Sequence, residues 1–118
     1  MQIRQAWIMA GLALLKPTVP RTVEELIKIA DHVMIFSGEL GRFGGTASLM
    51  QLEKIRLIKA INPNVEIGWD GGVAVDNAYS LVQGGVNVLN VGGVIQKSSD
   101  PRAIFSRLQQ EINKTSVL

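Results

Sequence analysis

Four short apolar runs recur along the chain, and segments with the period of an α-helix separate them. The runs span residues 10–15, 32–37, 65–69 and 86–91, and each has the length of a buried strand. In residues 48–61, apolar side chains return every three or four positions with charged ones between them, which predicts a helix with one buried face. The pattern predicts the order β-α-β-α-β-α-β-α.

Several sequence signals predict where the helices begin and end. Thr22-Val-Glu-Glu25 has the spacing of a capping box, in which Thr22 caps the helix and Glu25 reaches back to it. Asn62-Pro63 ends the helix over residues 48–61, and Gly84-Gly85 closes a shorter one over residues 74–83. Asp100-Pro101 predicts an N-cap and a first-turn proline for the last helix.

Alternating strands and helices predict an α/β fold with a parallel sheet, because parallel neighbours need a long return connection. The spacing between strands fits either an open doubly wound sheet or a segment of a barrel, and it leaves both open. With 118 residues, we expect one domain over residues 1–118.

Composition excludes several classes of function. The net charge is +2 and the basic residues form no block, so we expect no nucleic-acid partner. Without cysteine there is neither a disulfide framework nor a thiolate metal site, which agrees with a cytoplasmic location. Residues 7–15 are apolar but shorter than the roughly 20 residues of a membrane span, so we expect no membrane association. A signal peptide is the rival interpretation, although no small-x-small cleavage site follows.

Glycine pairs follow three of the four predicted strands. In α/β folds, functional groups collect where strands end and helices begin, and glycine lets backbone amides approach an anion there. Three pairs at equivalent places favour a phosphate site, and the alternative is that they only form tight turns. The pairs are Gly44-Gly45, Gly71-Gly72 and Gly92-Gly93.

Asp70 ends the third apolar run, so its carboxylate is expected at the mouth of the sheet. A carboxylate there transfers a proton or binds a metal, and the alternative is that Asp70 is a turn residue or an N-cap. His32, the one histidine, begins its strand at the other end and is interpreted as structural. The residue spacing shows neither a metal-ligand cluster nor a partner base for Ser37.

Four ordered segments resemble the C-terminal half of ribulose-phosphate 3-epimerase. Ala10-Gly-Leu-Ala-Leu-Leu-Lys-Pro17-Thr18 is similar to the fifth barrel strand and its loop, and Phe43-Gly44-Gly45 to the glycine-rich loop after the sixth. Glu66-Ile-Gly-Trp-Asp70-Gly71-Gly72-Val73 resembles the seventh-strand signature, and Val88-Leu-Asn-Val-Gly92-Gly93-Val-Ile95 the phosphate loop after the eighth. The loop 39–45 is one residue longer than the family's and adds Arg42.

The resemblance implies the (βα)4 half of a TIM barrel and an isomerase of the pentose phosphate pathway, which interconverts ribulose 5-phosphate and xylulose 5-phosphate. It implies that Asp70 is the seventh-strand acid and a metal ligand, and that the backbone of the glycine pairs holds the phosphate of a sugar phosphate. The implied cofactor is a divalent metal of the zinc, iron or manganese class, or none, because the family's histidine ligands have no counterpart here.

The family's second acid, metal histidines and substrate serine come from the first four barrel strands, which argues against stand-alone catalysis. One hypothesis is a separate N-terminal half-barrel that completes the site. The alternative is a non-catalytic homodimer that binds sugar phosphate or phosphate, since pairing closes open sheet edges. In such a dimer a second Asp70 takes a histidine's place. Another phosphate-binding activity, an aldolase or a synthase, ranks third, because no lysine stands clearly at a strand end.

Overall fold

The computed structural model describes residues 8–37 and 49–114. It contains one four-stranded sheet of β1 (Gly11–Leu14), β2 (His32–Phe36), β3 (Glu66–Asp70) and β4 (Val88–Asn90). All three strand pairs are parallel, and the order across the sheet is the order along the chain. The helices are α1 (Glu24–Ile29), α2 (Glu53–Ile61), α3 (Ala78–Gln83), α4 (Gly93–Gln96) and α5 (Pro101–Ile112). The predicted alternation of strands and helices is confirmed.

The hydrophobic core lies between one face of the sheet and the helices. Strand side chains of one parity enter it from the sheet, among them Val33, Ile35 and Ile67, while Ile27 and Ile58 enter it from α1 and α2. Sequential parallel strands joined by crossovers of one hand place their helices on the same side. The sheet is therefore a barrel segment, a (βα)4 half-barrel, and this decides between the two architectures that strand spacing left open.

The strand residues of the other parity form a second surface, called the open face here. Their side chains alternate with those of the core, and the register of the three strand pairs aligns them in rows across the sheet. None of them belongs to the core cluster of the described residues. The open face consists of Gly11, Ala13, His32, Met34, Phe36, Glu66, Gly68, Asp70, Val88 and Asn90.

Three of the predicted helix ends are confirmed, and one of them is the end of α3 at Gln83, directly before Gly84-Gly85. Asp100 caps α5 by accepting a hydrogen bond from the Ala103 amide at 3.1 Å, and Pro101 is its first residue. α2 ends at Ile61, directly before Asn62. The proline and asparagine signals are local, which is why the sequence predicts them well.

The prediction of a capping box at Thr22-Val-Glu-Glu25 was wrong. A 3-10 turn over Pro20–Val23 precedes α1, so the helix begins at Glu24 and its N-cap is Val23, without a side-chain cap. Because Thr22 lies inside this turn, its hydroxyl donates to the Val19 carbonyl at 2.6 Å instead of capping the helix.

The predicted start of the third helix was early, since α3 begins at Ala78. Among the described residues, no helix is long and apolar enough to cross a membrane.

Candidate functional site

Asp70 lies where the sequence predicts, at the carboxyl end of β3 on the open face. It is partly exposed, and it stands in one row with Phe36 of β2 and Asn90 of β4. Neighbouring strands are about 4.8 Å apart, so this row places an aromatic ring, a carboxylate and an amide side by side. The Ser37 amide donates to the Asp70 carbonyl at 2.7 Å and joins the exit of β2 to the end of β3.

The turn after Asp70 depends on its two glycines. Gly71 and Gly72 have φ values of 113° and 70°, in the left-handed region that favours glycine. The Trp69 indole Nε1 donates to the Gly71 carbonyl at 3.1 Å, and Asn77 Nδ2 donates to the Gly72 carbonyl at 2.8 Å. In a trans peptide the N–H points opposite to the C=O. The two hydrogen bonds thus fix the peptide planes that contain the Gly71 and Gly72 carbonyls. The N–H group in each plane points away from the side chain, Trp69 or Asn77, that binds its carbonyl.

Asn77 also fixes the backbone between the glycine turn and α3. Its Oδ1 accepts from the Ala74 amide at 2.9 Å while its Nδ2 binds the Gly72 carbonyl. One side chain therefore satisfies two backbone groups of the segment between β3 and α3, in which the amides of Asn77 and Ala78 also donate to the Ala74 carbonyl at 3.2 and 3.0 Å. The sequence pattern did not indicate this role, because it assigns Asn77 to a helix.

The third predicted pair, Gly92-Gly93, lies at the same edge of the sheet, directly after β4. Gly93 begins α4, and the Gly92 carbonyl accepts from the amides of Ile95 and Gln96 at 3.1 and 3.0 Å. Two of the glycine pairs thus lie at the carboxyl edge of the sheet, after the neighbouring strands β3 and β4. The pair Gly44-Gly45, together with Arg42, lies outside the described residues.

The described residues do not by themselves fit a divalent metal. Within 8–37 and 49–114, no group of three His, Cys, Asp or Glu side chains is placed to hold an ion. Asp70 is one carboxylate without a second ligand of that kind beside it. His32 is at the opposite end of the open face, where its Nδ1 lies 2.7 Å from Glu66 Oε1.

Asn90 is a polar group of this edge that the sequence analysis did not single out. It is exposed and in register with Asp70, and its Nδ2 lies 3.4 Å from the Met34 sulfur. The local signal was an asparagine in an otherwise apolar strand, just before a glycine pair. The contact with Met34 joins residues 56 positions apart and has no local signature.

Comparison with known proteins adds an independent line of argument. The model of the "Ribulose-phosphate 3 epimerase family" matches residues 1–96. A ribulose-phosphate 3-epimerase of Helicobacter pylori (strain ATCC 700392 / 26695) is 34% identical over 112 residues, which are 91% of this chain and 51% of the relative. The corresponding enzyme of Aquifex aeolicus is 29% identical, over 91% of this chain and 50% of its own length.

A third relative, the chloroplastic ribulose-5-phosphate-3-epimerase of Arabidopsis thaliana, is 31% identical over 84% of this chain and 37% of its own. Among solved structures, 3-hexulose-6-phosphate synthase from Salmonella typhimurium superposes with a TM-score of 0.70 at 17% identity. The match covers 92% of this chain and 51% of that protein, and at this identity it shows the fold alone. The chain spans about half the length, or less, of the relatives it matches.

Proposed function

This chain belongs to the ribulose-phosphate 3-epimerase family, and from that membership we propose that it forms the phosphate-binding and proton-transferring half of a pentulose-phosphate site. The reaction proposed is the interconversion of ribulose 5-phosphate and xylulose 5-phosphate. The observation that carries the proposal is the position of Asp70 on the open face. It lies beside a glycine turn whose carbonyls accept hydrogen bonds from other side chains of the protein.

The phosphate is proposed to bind at the two glycine pairs of the carboxyl edge. Backbone amides that share one concave edge hold an anion without a charged side chain. The turn at Gly71-Gly72 supports this function because Trp69 and Asn77 fix its peptide planes before a ligand arrives. A preorganised turn loses little conformational freedom on binding.

Asp70 is proposed to move the proton. A partly exposed carboxylate at the mouth is accessible to a ligand and able to remove a proton from the carbon next to a carbonyl. Epimerisation needs a second acid on the other side of that carbon. The other carboxylate of the open face, Glu66, stands at the amino end of β3 and pairs with His32, so we assign the second acid to a partner.

A divalent metal of the zinc, iron or manganese class, which the family resemblance implies, would polarise the carbonyl and stabilise the negative charge of the intermediate. Asp70 is the one residue of the described part that we propose as a ligand. We propose that a partner supplies the remaining ligands; the described residues contain no cluster of three.

The partner is proposed to be a second (βα)4 unit that covers the open face. Large apolar side chains are exposed outside the sheet: Met9 is 81% exposed just before β1, and Phe105 is 52% exposed on α5, the helix after β4 in the sequence. Exposed apolar side chains of this size favour contact with a partner, and the two outer strands leave sheet edges for it to pair with. An N-terminal half-barrel would supply the second acid and metal ligands. A second copy of this chain would give a homodimer that binds sugar phosphate or phosphate without turnover, the second candidate function.

The test combines mass in solution, binding and proton exchange. The purified chain is incubated with ribulose 5-phosphate and Mn²⁺ or Zn²⁺ in deuterium oxide, with and without an N-terminal half-barrel of a relative. Deuterium uptake at the carbon next to the carbonyl, abolished by Asp70→Asn and retained in the exposed Asp76→Asn control, is the expected result with the second half present. Binding of ribulose 5-phosphate by a dimer, without exchange in any mixture, would replace the epimerase proposal with the non-catalytic homodimer.

A further inference from the structure

The Asn90 side chain reaches across the middle of the open face. Its Nδ2 lies 3.4 Å from the sulfur of Met34, although Asn90 is on β4, Met34 is on β2, and β3 lies between them. Strands separated by one neighbour are about 10 Å apart, so the two side chains meet in front of β3. The contact is therefore next to Asp70, which β3 presents in the same row as Asn90.

Gly68 is the residue of β3 that lies beside Met34. It is in register with both Met34 and Val88, one row below Asp70. A Cβ built at this position would lie 3.7 Å from Met34 Cγ, an ordinary contact, and closer to the His32 imidazole, so the Met34 side chain passes beside the glycine. The side chains of Met34 and Asn90 thus lie in front of β3, beside the Asp70 side chain.

The chemistry of the Met34–Asn90 contact favours an exchange of hydrogen-bond partners by the Asn90 amide when a ligand binds. A thioether is a weak acceptor, whereas an amide offers two donors and a carbonyl oxygen. Asn90 is exposed, and its side-chain amide donates to the Met34 sulfur. When a ligand oxygen takes the place of the Met34 sulfur as acceptor, the Asn90 amide loses a weak hydrogen bond and gains a stronger one.

We infer that Asn90 is a ligand-contacting residue, which binds a hydroxyl or carbonyl oxygen on the carbon chain of the sugar phosphate beside Asp70. This inference rests on the proposed function and adds a specificity determinant to it. The backbone amides of the glycine pairs hold the phosphate, and Asn90 distinguishes a phosphorylated polyol from phosphate alone. Met34 supplies an apolar surface below the chain.

The test compares two ligands and three variants by calorimetry on the whole chain. Asn90→Val is expected to weaken ribulose 5-phosphate binding by about tenfold, the equivalent of one hydrogen bond, while inorganic phosphate changes by less than about twofold. Asn113→Val, at an exposed asparagine after α5, is the matched control and keeps both affinities. Met34→Leu removes the sulfur but leaves the amide, and it is expected to retain ribulose 5-phosphate binding.

The outcomes separate the inference from the proposed function. Equal losses for both ligands in Asn90→Val, or none, would overturn the inference and leave phosphate binding intact. Failure of the unsubstituted chain to bind either ligand would overturn both. If Asn90→Val unfolds, the side-chain amide resonances of Asn90 in the unsubstituted chain decide: they shift with ribulose 5-phosphate but not with phosphate if the inference holds, and remain unchanged with both if it is wrong.

Discussion

His32 and Glu66 form a side-chain pair at the amino end of the open face, with Nδ1 2.7 Å from Oε1 across the β2–β3 register. The imidazole leans from this pair over Gly68, so that a Cβ built there would lie 2.5 Å from His32 Nε2 and 2.7 Å from its Cε1. Ordinary carbon contacts are never this short. The His32 imidazole can therefore take this position only because residue 68 has no side chain.

Gly68→Ala is predicted to destabilise the chain by about 1 kcal/mol, because His32 must leave Glu66 to make room for the methyl group. Urea unfolding of Gly68→Ala, His32→Ala and the double variant measures the coupling. We expect the methyl group to cost less in the His32→Ala background. Gly11→Ala is the control, since its Cβ would make ordinary contacts of 3.6 Å or more. Additive effects of the two substitutions would contradict the steric explanation.

The sequence predicted the strands and the edge on which Asp70 lies because those features depend on local runs and on the glycines after them. Strand spacing alone did not predict that the helices cover one face, since it is the same in both α/β architectures, whereas the family resemblance predicted the half-barrel. It misplaced the start of α1 because a 3-10 turn intervenes. The Met34–Asn90 contact depends on the register of three strands, which no local pattern specifies.

Asn62→Ala is predicted to lower the free energy of unfolding by about 1–2 kcal/mol, because it removes donors from backbone carbonyls at the end of α1. Asn62 Nδ2 donates to the carbonyls of Ile27 and Ala30 at 2.9 and 3.2 Å, and both contacts are partly buried. Urea denaturation monitored by tryptophan fluorescence measures the loss. Asn64→Ala, in the same loop and exposed, is expected to be nearly neutral. Equal stability of the two variants would refute this anchoring role.

Lys54→Met is predicted to loosen the loop after β1 at the carboxyl edge. The Lys54 ammonium group donates to the carbonyls of Leu15 and Lys16 at 2.9 and 2.8 Å, and partial burial lowers the pKa of Lys54. Hydrogen exchange of the Thr18 amide, which bonds the Leu15 carbonyl, is expected to accelerate by about tenfold, or about 1.4 kcal/mol.

The matched control for Lys54 is Lys59→Met on the same helix. Lys59 donates to the Val65 carbonyl at 2.6 Å and so anchors the opposite edge, before β3. Its substitution is expected to leave the exchange of Thr18 unchanged. Acceleration of Thr18 exchange to the same extent in both variants would mean that general destabilisation is responsible, and not the loss of a specific anchor.

Asn77→Asp is predicted to weaken phosphate binding as well as stability. The aspartate keeps an acceptor for the Ala74 amide, but it loses the donor to the Gly72 carbonyl and places a negative charge against that oxygen. We expect a loss of about 1–2 kcal/mol in unfolding free energy. The affinity for inorganic phosphate should fall because the peptide plane at Gly72 is released and the new charge repels the anion. Asn113→Asp adds the same charge at the end of α5 and controls for net charge. If calorimetry gives both variants the same phosphate affinity, the fixed turn after Asp70 does not bind phosphate.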